Sequence, residues 1–459
     1  MLSGEGASNI GFVPSPLASA PARALALILI LSAGAGTKAA ERPAQEFGLP
    51  TAAPEDVGFS SERLKRLDAV IQQTIDQNDF PGVVAVAARH GKIFYSKTFG
   101  WQDIGARTPM PQNAIFRMYS QTKPIIGVAM MILYEEGKWS AQDPIAKHIP
   151  EFAGLKVFTG FDPNHKPLVE EPVHAPMMRE LMTHTAGFGS GSVTTPEDTL
   201  YLDANGQNFI LGAPTLEEMI HRLAHTPLTY QPGSQWVYSV SVDIQGYLIE
   251  KLSGQKLPDF LKKRIFDPLG MKDTGFYIPT EKLTRLARQY YRTDAGELKP
   301  SPELLFGLGP FDRPPTRPSG GGGMLSTAHD YFRFAEMLRR GGELDGARIL
   351  GPATIQMMSA NHLAPGLMTG QWGGGIHRMR PGLGFRFDFA VYTDPGLADE
   401  TTGKGTYLWL GAAGTCFWVD PTYDVVFVGM VQRQSSDERP NLEALTRQTL
   451  YQALVRPDR

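Results

Sequence analysis

The sequence predicts an α+β fold. One antiparallel sheet is assembled from both ends of the chain and flanked by helices, with a mostly helical region inserted between them. Three observations predict it. A hairpin pattern stands near the start, with Gly82–Arg89 and Ile93–Phe99 flanking His90-Gly91-Lys92. Another stands near the end, with Tyr407–Val419 and Val425–Gln432 flanking Asp420-Pro421-Thr422-Tyr423. The stretches between them carry helical periodicity, as at Ser120–Gly137 and Asp243–Gly254.

Composition narrows the function classes. The chain has 459 residues, 42% of them hydrophobic and 20% charged, which suffices for a large core. Lys and Arg total 44 against 47 Asp and Glu, a net charge of −3. No basic excess is available to neutralise a phosphate backbone, so nucleic acid is not an expected partner. A single cysteine, Cys416, excludes an intramolecular disulfide and a cysteine-rich metal site. With 49 glycines and 36 prolines, turns and long loops are expected rather than a helical bundle.

In chain order, residues 1–45 read as a leader. Arg23 precedes an apolar run, Ala24–Leu31, followed by small residues through Gly36. The run is too short for stable membrane insertion, which needs about 20 apolar residues. It fits the apolar region of a secretory signal, with Ala33-Gly34-Ala35 as a cleavage site and a periplasmic or secreted destination. The alternative is an Ala-rich leader on a cytoplasmic protein. Ser60–Asn78 follows as an amphipathic helix with an N-cap serine and apolar Leu64, Leu67, Ile71 and Ile75. The sheet part is expected from 46–119 and 300–459, and the mostly helical part from 120–299. A final amphipathic helix is expected over Pro440–Leu454.

The segment IFRMYSQTKPIIGVAMMILYEEGK places Ser120 where a helix begins, with Lys123 three residues on and over the same face. Pro124 fits a first turn, whose amides lack intrahelical partners. A helix N-terminus favours developing negative charge, and a desolvated amine can take a serine proton. Ser-x-x-Lys alone is weak, and a plain N-cap with a solvated lysine is the equal alternative. The chain also holds a decoy, Ser253-Gly254-Gln255-Lys256, where the serine reads as a helix terminator.

Six segments decide between these readings: MYSQTKPIIGVAMMILYEEGK, LMTHTAGF, PGSQWVYSVSVDIQGYLIEKLSGQ, DPLGMKDTGFY, GGGGMLSTAHDYFRFAEMLRRGGEL and LWLGAAGTCFWVDP. In this order the chain resembles the serine β-lactamase and penicillin-binding protein superfamily, and within it the class C-like branch that includes family VIII carboxylesterases. The resemblance implies a serine β-lactamase-like fold and acyl-enzyme chemistry on Ser120, with no cofactor and no metal. Ser-x-x-Lys with two further motifs is the signature of this group.

The second motif falls on Tyr238-Ser239-Val240. The resemblance implies that Tyr238 bonds Ser120 and Lys123 and carries the proton to the leaving group; without it, Tyr238 reads as a core tyrosine. Val240 departs from the lactamase pattern because it has no amide to hold a β-lactam side chain. The third motif falls on Trp409-Leu410-Gly411, where lactamases carry Lys-Thr-Gly. Without that lysine the contact for a β-lactam carboxylate is missing. Trp409 and Gly411 are then expected against substrate, with strand packing as the alternative role of Trp409. The Ser120 and Ala412 backbone amides are the implied oxyanion hole, each such donor being worth roughly 3 to 4 kcal/mol.

Other residues read as structural. His184 in LMTHTAGF is expected to support the fold rather than act as a base. The ten histidines show no metal-ligand spacing such as HExxH. No G-x-S-x-G nucleophile elbow occurs. Gly320–Gly323 is expected to be a flexible approach to the site, and Cys416 a small core residue. The expected activity is hydrolysis of short-chain carboxylic esters, with a small-molecule ester or amide as partner. The alternatives are a β-lactamase, a D-amino-acid peptidase or an acyltransferase.

Overall fold

The computed structural model describes residues 48–190, 196–301, 307–364, 367, 381–434 and 441–458. The leader lies outside the described residues, as does Pro440. The first helix, α1 (Ser61–Asp76), begins where Ser60 Oγ accepts from the Arg63 amide at 3.3 Å. It turns Leu64, Leu67 and Ile71 inward.

The sheet strands are β1 (Gly82–Arg89), β2 (Lys92–Asp103) and β3 (Thr108–Pro109) from the front of the chain. A two-stranded pair, β4 (Ile115–Arg117) with β5 (Leu325–Thr327), stands apart from it. The rear of the chain supplies β6 (Leu383–Phe385), β7 (Ala390–Tyr392), β8 (Tyr407–Leu410), β9 (Cys416–Asp420) and β10 (Val425–Val431). The eight strands run in the order β6-β7-β8-β9-β10-β1-β2-β3. The two ends of the chain meet where β1 pairs antiparallel with β10, from Val83 opposite Val431 to Arg89 opposite Val425.

Every residue of β1 and of β10 is buried. Successive side chains of a strand point to opposite faces, so both faces of the sheet centre are covered. Helix α5 (Ala328–Arg339) packs on β1, β9 and β10. Helix α6 (Leu442–Tyr451) packs on β9, β10 and α1.

The reading of Tyr407–Val419 as one strand is corrected. The chain folds back at residues 411–415, where Gly411 N donates to the Thr415 carbonyl at 2.8 Å and Gly414 takes φ +88°. A side chain at Gly411 would overlap both Thr415 Oγ1 and the Met118 carbonyl, so only glycine fits this turn. Two strands and a largely buried turn replace one long strand, and the turn carries Ala412.

Between β4 and β5 the regular structure is largely helical, joined by long irregular segments. Helix α2 (Lys123–Glu135) packs on α4 (Ser241–Ser253), and α3 (Met178–Met182) also packs on α4. Two small hairpins interrupt this region, Val157–Phe161 with Pro167–Glu170 and Tyr290–Arg292 with Leu298–Pro300. Among the described residues no helix is long and apolar enough to cross a membrane.

The turn between β6 and β7 ties sheet to helices. At its tip Asp388 takes φ +64°, is fully buried, and accepts from Gln245 Nε2 of α4 at 3.2 Å. Its amide donates to the Met182 carbonyl of α3 at 3.3 Å, and its carboxyl lies against Gly127 of α2. Burial pushes this carboxyl well above the usual carboxylate range, which favours its protonated form. The stability it contributes is therefore full below the unfolded-state value near 3.9 and is lost as pH rises toward the native value. Asp388→Asn should be nearly neutral at about pH 4 and increasingly stabilising as pH rises above it. Denaturant unfolding at several pH values measures this, and a pH-independent difference would contradict it.

Candidate active site

Strand β4 delivers Ser120. The Arg117 amide donates to Gln432 Oε1 at 2.7 Å, and the Met118 amide to the Met324 carbonyl at 2.9 Å. Tyr119 then takes φ +46°, a conformation rare for a residue with a Cβ. Its phenol donates to Gln289 Oε1 at 2.5 Å, which helps hold it there. The expected helix start near Ser120 is corrected: Tyr119–Thr122 forms a 3-10 turn, and α2 begins at Lys123 with Pro124 in its first turn. The proline lacks an amide hydrogen, so the tighter turn in front of it loses no bond that Pro124 could have made. Ser120 is partly exposed there, at the mouth of an otherwise buried helix.

Lys123 is almost wholly buried. Its Nζ donates to Ser120 Oγ at 3.2 Å and to the Gly321 carbonyl at 2.5 Å. Gly321 belongs to the run Gly320–Gly323, which is not the flexible approach expected but a packed wall. A Cβ on Gly321 would overlap Asp243 Oδ2, and one on Gly320 would overlap the Val242 carbonyl. Asp243, in the first turn of α4, accepts from Ser319 Oγ at 2.6 Å and pairs with Arg317 at 3.7 Å. The glycines thus let the loop lie directly on α4, with the Gly321 carbonyl aimed at the lysine.

Tyr238 also meets Lys123, whose Nζ sits 4.4 Å from its ring centroid. A cation or amine over an aromatic face is an attractive contact. Three rings surround Tyr238, Trp236 stacked at 6.2 Å, His184 at 4.9 Å and Trp409 at 5.6 Å, with Phe385 behind them against all three. His184 is fully buried, and its Nδ1 accepts from the Ser239 amide at 3.2 Å. Its carbonyl accepts from Tyr230 Oη at 3.0 Å and from the Val237 amide at 3.1 Å. Burial, and then the nearby Lys123 charge, hold its imidazole well below the ordinary value, so the ring is neutral. Its contacts brace the segment that carries Tyr238.

Trp409 is buried at the end of β8, next to Tyr238. Ala412 sits in the 411–415 turn and packs in one apolar cluster with Tyr119, Leu308 and Phe311. Thr415 Oγ1 donates to the Met118 carbonyl at 3.4 Å, which ties this turn to the residues leading into Ser120. Val240 is buried directly before α4 and presents no polar side chain.

Ser120, Lys123, Tyr238 and Trp409 are therefore joined by a chain of direct contacts, and Gly411 and Ala412 border the segment leading to Ser120. Ser253 is elsewhere: its hydroxyl donates back to the Ile249 carbonyl at 2.6 Å and Gly254 follows at φ +70°. Lys256 of the decoy turns outward to Glu250 at 2.9 Å. Cys416 is buried and its thiol is pushed up to about 12, mainly by desolvation. Sequence reasoning missed the Gly321 carbonyl, for which four consecutive glycines were the visible signal.

Replacing Gly321 by Ala should push the loop off Asp243 and move the carbonyl that holds Lys123. A displacement of about an ångström costs on the order of 10²-fold in a positioned reaction. Gly321→Ala should therefore slow labelling of Ser120 by a fluorophosphonate by about that factor with little loss of helix signal. An unchanged labelling rate would contradict the positioning role.

The chain matches the Beta-lactamase family over residues 67–451. It is 32% identical over 373 residues to Esterase EstB of Burkholderia gladioli, covering 77% of this chain and 86% of that one. It is 31% identical over 370 residues to Protein Rv1367c of Mycobacterium tuberculosis, covering 79% and 88%. Among solved structures it is similar to EstCE1, described as a hydrolase with promiscuous acyltransferase activity, at a TM-score of 0.69 and 28% identity, over 86% of this chain and 98% of that one. Sheet, helices and motif order agree with this match, and the chain belongs to the Beta-lactamase family.

Proposed function

We propose that the protein is a serine hydrolase that cleaves carboxylic esters, short-chain ones among them, through an acyl-enzyme on Ser120. One observation carries the reading: the Lys123 amine lies within hydrogen-bond reach of Ser120 Oγ and against the face of Tyr238 at once. Lys123 in its amine form takes the Ser120 proton as Oγ attacks the ester carbonyl. Tyr238 passes a proton to the departing alkoxide, and water then repeats the sequence in reverse to release the acid. The Ser120 and Ala412 amides receive the oxyanion. The site lies at the seam of the sheet part, 46–119 and 300–459, with the mostly helical part, 120–299.

Two features favour an ester over a β-lactam. Trp409 stands where a lysine would meet the lactam carboxylate, and buried Val240 stands where an amide would hold its side chain. The name of Esterase EstB agrees with this choice. Acyl transfer to an alcohol is the second reading, favoured by the transferase activity described for EstCE1; it needs no further residue.

Purified protein assayed on p-nitrophenyl butyrate and a chromogenic cephalosporin tests the proposal. Ester cleavage should dominate and fall by about 10³-fold or more in Ser120→Ala. Tyr238→Phe should lose about 10² to 10⁴-fold in turnover with its fold intact. Dominant cephalosporin turnover would overturn the substrate class, and wild-type rates in Ser120→Ala would overturn the nucleophile.

A further inference from the structure

Tyr119, the residue before the nucleophile, is a strained point of the site. Its φ of +46° lies in the left-handed region, which a residue with a Cβ enters at a cost. Such a conformation persists only where its surroundings over-determine it. Here it turns the chain from β4 into the 3-10 turn Tyr119–Thr122, and Ser120 is the next residue. A return of Tyr119 to ordinary φ rotates the peptide that carries Ser120. Oγ then leaves its 3.2 Å contact with Lys123 Nζ.

The ring of Tyr119 is buried in an apolar cluster with Ile115, Leu308, Phe311 and Leu325. Apolar packing is non-directional and does not by itself select a backbone angle. The phenol supplies direction, because it donates to Gln289 Oε1 at 2.5 Å. Burial pushes the phenol up from its ordinary value, so it stays a donor at neutral pH. Gln289 is itself buried and lies 170 residues away in sequence.

The segment that carries Gln289 is fixed on several sides. The Ala287 amide donates to the Ile115 carbonyl of β4 at 2.8 Å, and the Arg288 amide to the Gln102 carbonyl of β2 at 3.0 Å. The Tyr290 amide donates to the Gln432 carbonyl at 3.0 Å, just beyond β10. Arg117 Nη1 donates to the Ala287 carbonyl at 3.0 Å. Gln432 grips Arg117 in turn, accepting from its amide at 2.7 Å and donating to its carbonyl at 3.3 Å. Gln289 is thus a rigid acceptor set against the one residue whose backbone must be held.

We infer that Gln289 is a positioning residue for Ser120: through the Tyr119 phenol it holds the strained residue that aims Oγ at Lys123. This deepens the acyl-enzyme reading of Ser120 and rests on it.

Labelling of Ser120 by a fluorophosphonate reads nucleophile placement without a choice of ester. Gln289→Leu keeps the volume and removes the acceptor, and it should slow labelling by about tenfold or more. Tyr119→Phe should slow it by a similar factor and keeps the inference testable where Gln289→Leu does not fold. The double variant should lose no more than the slower single one, because both remove the same bond. Tyr290→Phe is the control. It loses the bonds of its hydroxyl with the Ile104 amide at 2.9 Å and Asp103 at 3.2 Å on the same segment. It should lower the melting temperature and leave the labelling rate unchanged.

Losses that multiply in the double variant, or an equal slowing in Tyr290→Phe, overturn the inference. A crystal structure of Gln289→Leu gives a readout free of chemistry. Tyr119 should show negative φ, with Ser120 Oγ beyond hydrogen-bond reach of Lys123. An unchanged φ and contact overturn the positioning role at any labelling rate. Wild-type labelling at a residue other than Ser120 removes the acyl-enzyme reading alone, and the crystal structure still decides the role of Gln289.

Discussion

The bond between Lys123 and the Gly321 carbonyl is the constraint on which the site depends. A lysine side chain has four rotatable bonds, and burying it costs rotamer entropy and solvation. The carbonyl satisfies one of its donors and fixes its direction, so that the nitrogen meets Ser120 Oγ rather than folding toward solvent. That carbonyl is in turn held by a loop that has no side chains to keep it off α4. Asp243, Ser319 and Arg317 lock the loop from the other side. Deeper in the fold, burial favours the uncharged forms of His184 and Asp388 beside α2 and α4.

The sheet serves this arrangement by bringing together parts of the chain that are far apart in sequence. Pairing of β1 with β10 makes the two ends one rigid surface. The tight turn after β8 then projects from that surface to the residues before Ser120, with Gly411 and Thr415 both against the Met118 carbonyl. Helix α2 places the lysine, the segment leading into α4 places the tyrosine, and the sheet places the turn that carries Ala412. Neither half contains the whole constellation.

Much of this was legible in the sequence, for reasons of period and punctuation. The front hairpin announced itself through a continuous β-branched and alanine run and a His-Gly-Lys turn, and α1 through its N-cap serine and apolar stripe. The nucleophile helix was visible, but its first turn was not. Whether a chain enters a helix through an α or a 3-10 turn depends on long-range bonds, here those of Tyr119 and Arg117. The break inside residues 407–419 was hidden because glycine and alanine are as compatible with a strand edge as with a turn. Close contact with the Met118 carbonyl decides it. The glycine run was read as flexibility because sequence reports what a glycine permits and not what packs against it. Asp388 and Gln245 could not be paired, since nothing local relates residues so far apart.

The central claim is that a covalent acyl group forms on Ser120. Acid quenching of the wild-type protein and of Tyr238→Phe during turnover of p-nitrophenyl butyrate, followed by peptide mapping by mass spectrometry, tests it directly. The account predicts a butyryl group on the peptide carrying Ser120, more abundant in the tyrosine variant. A butyryl group on another serine, or on Cys416, would contradict it.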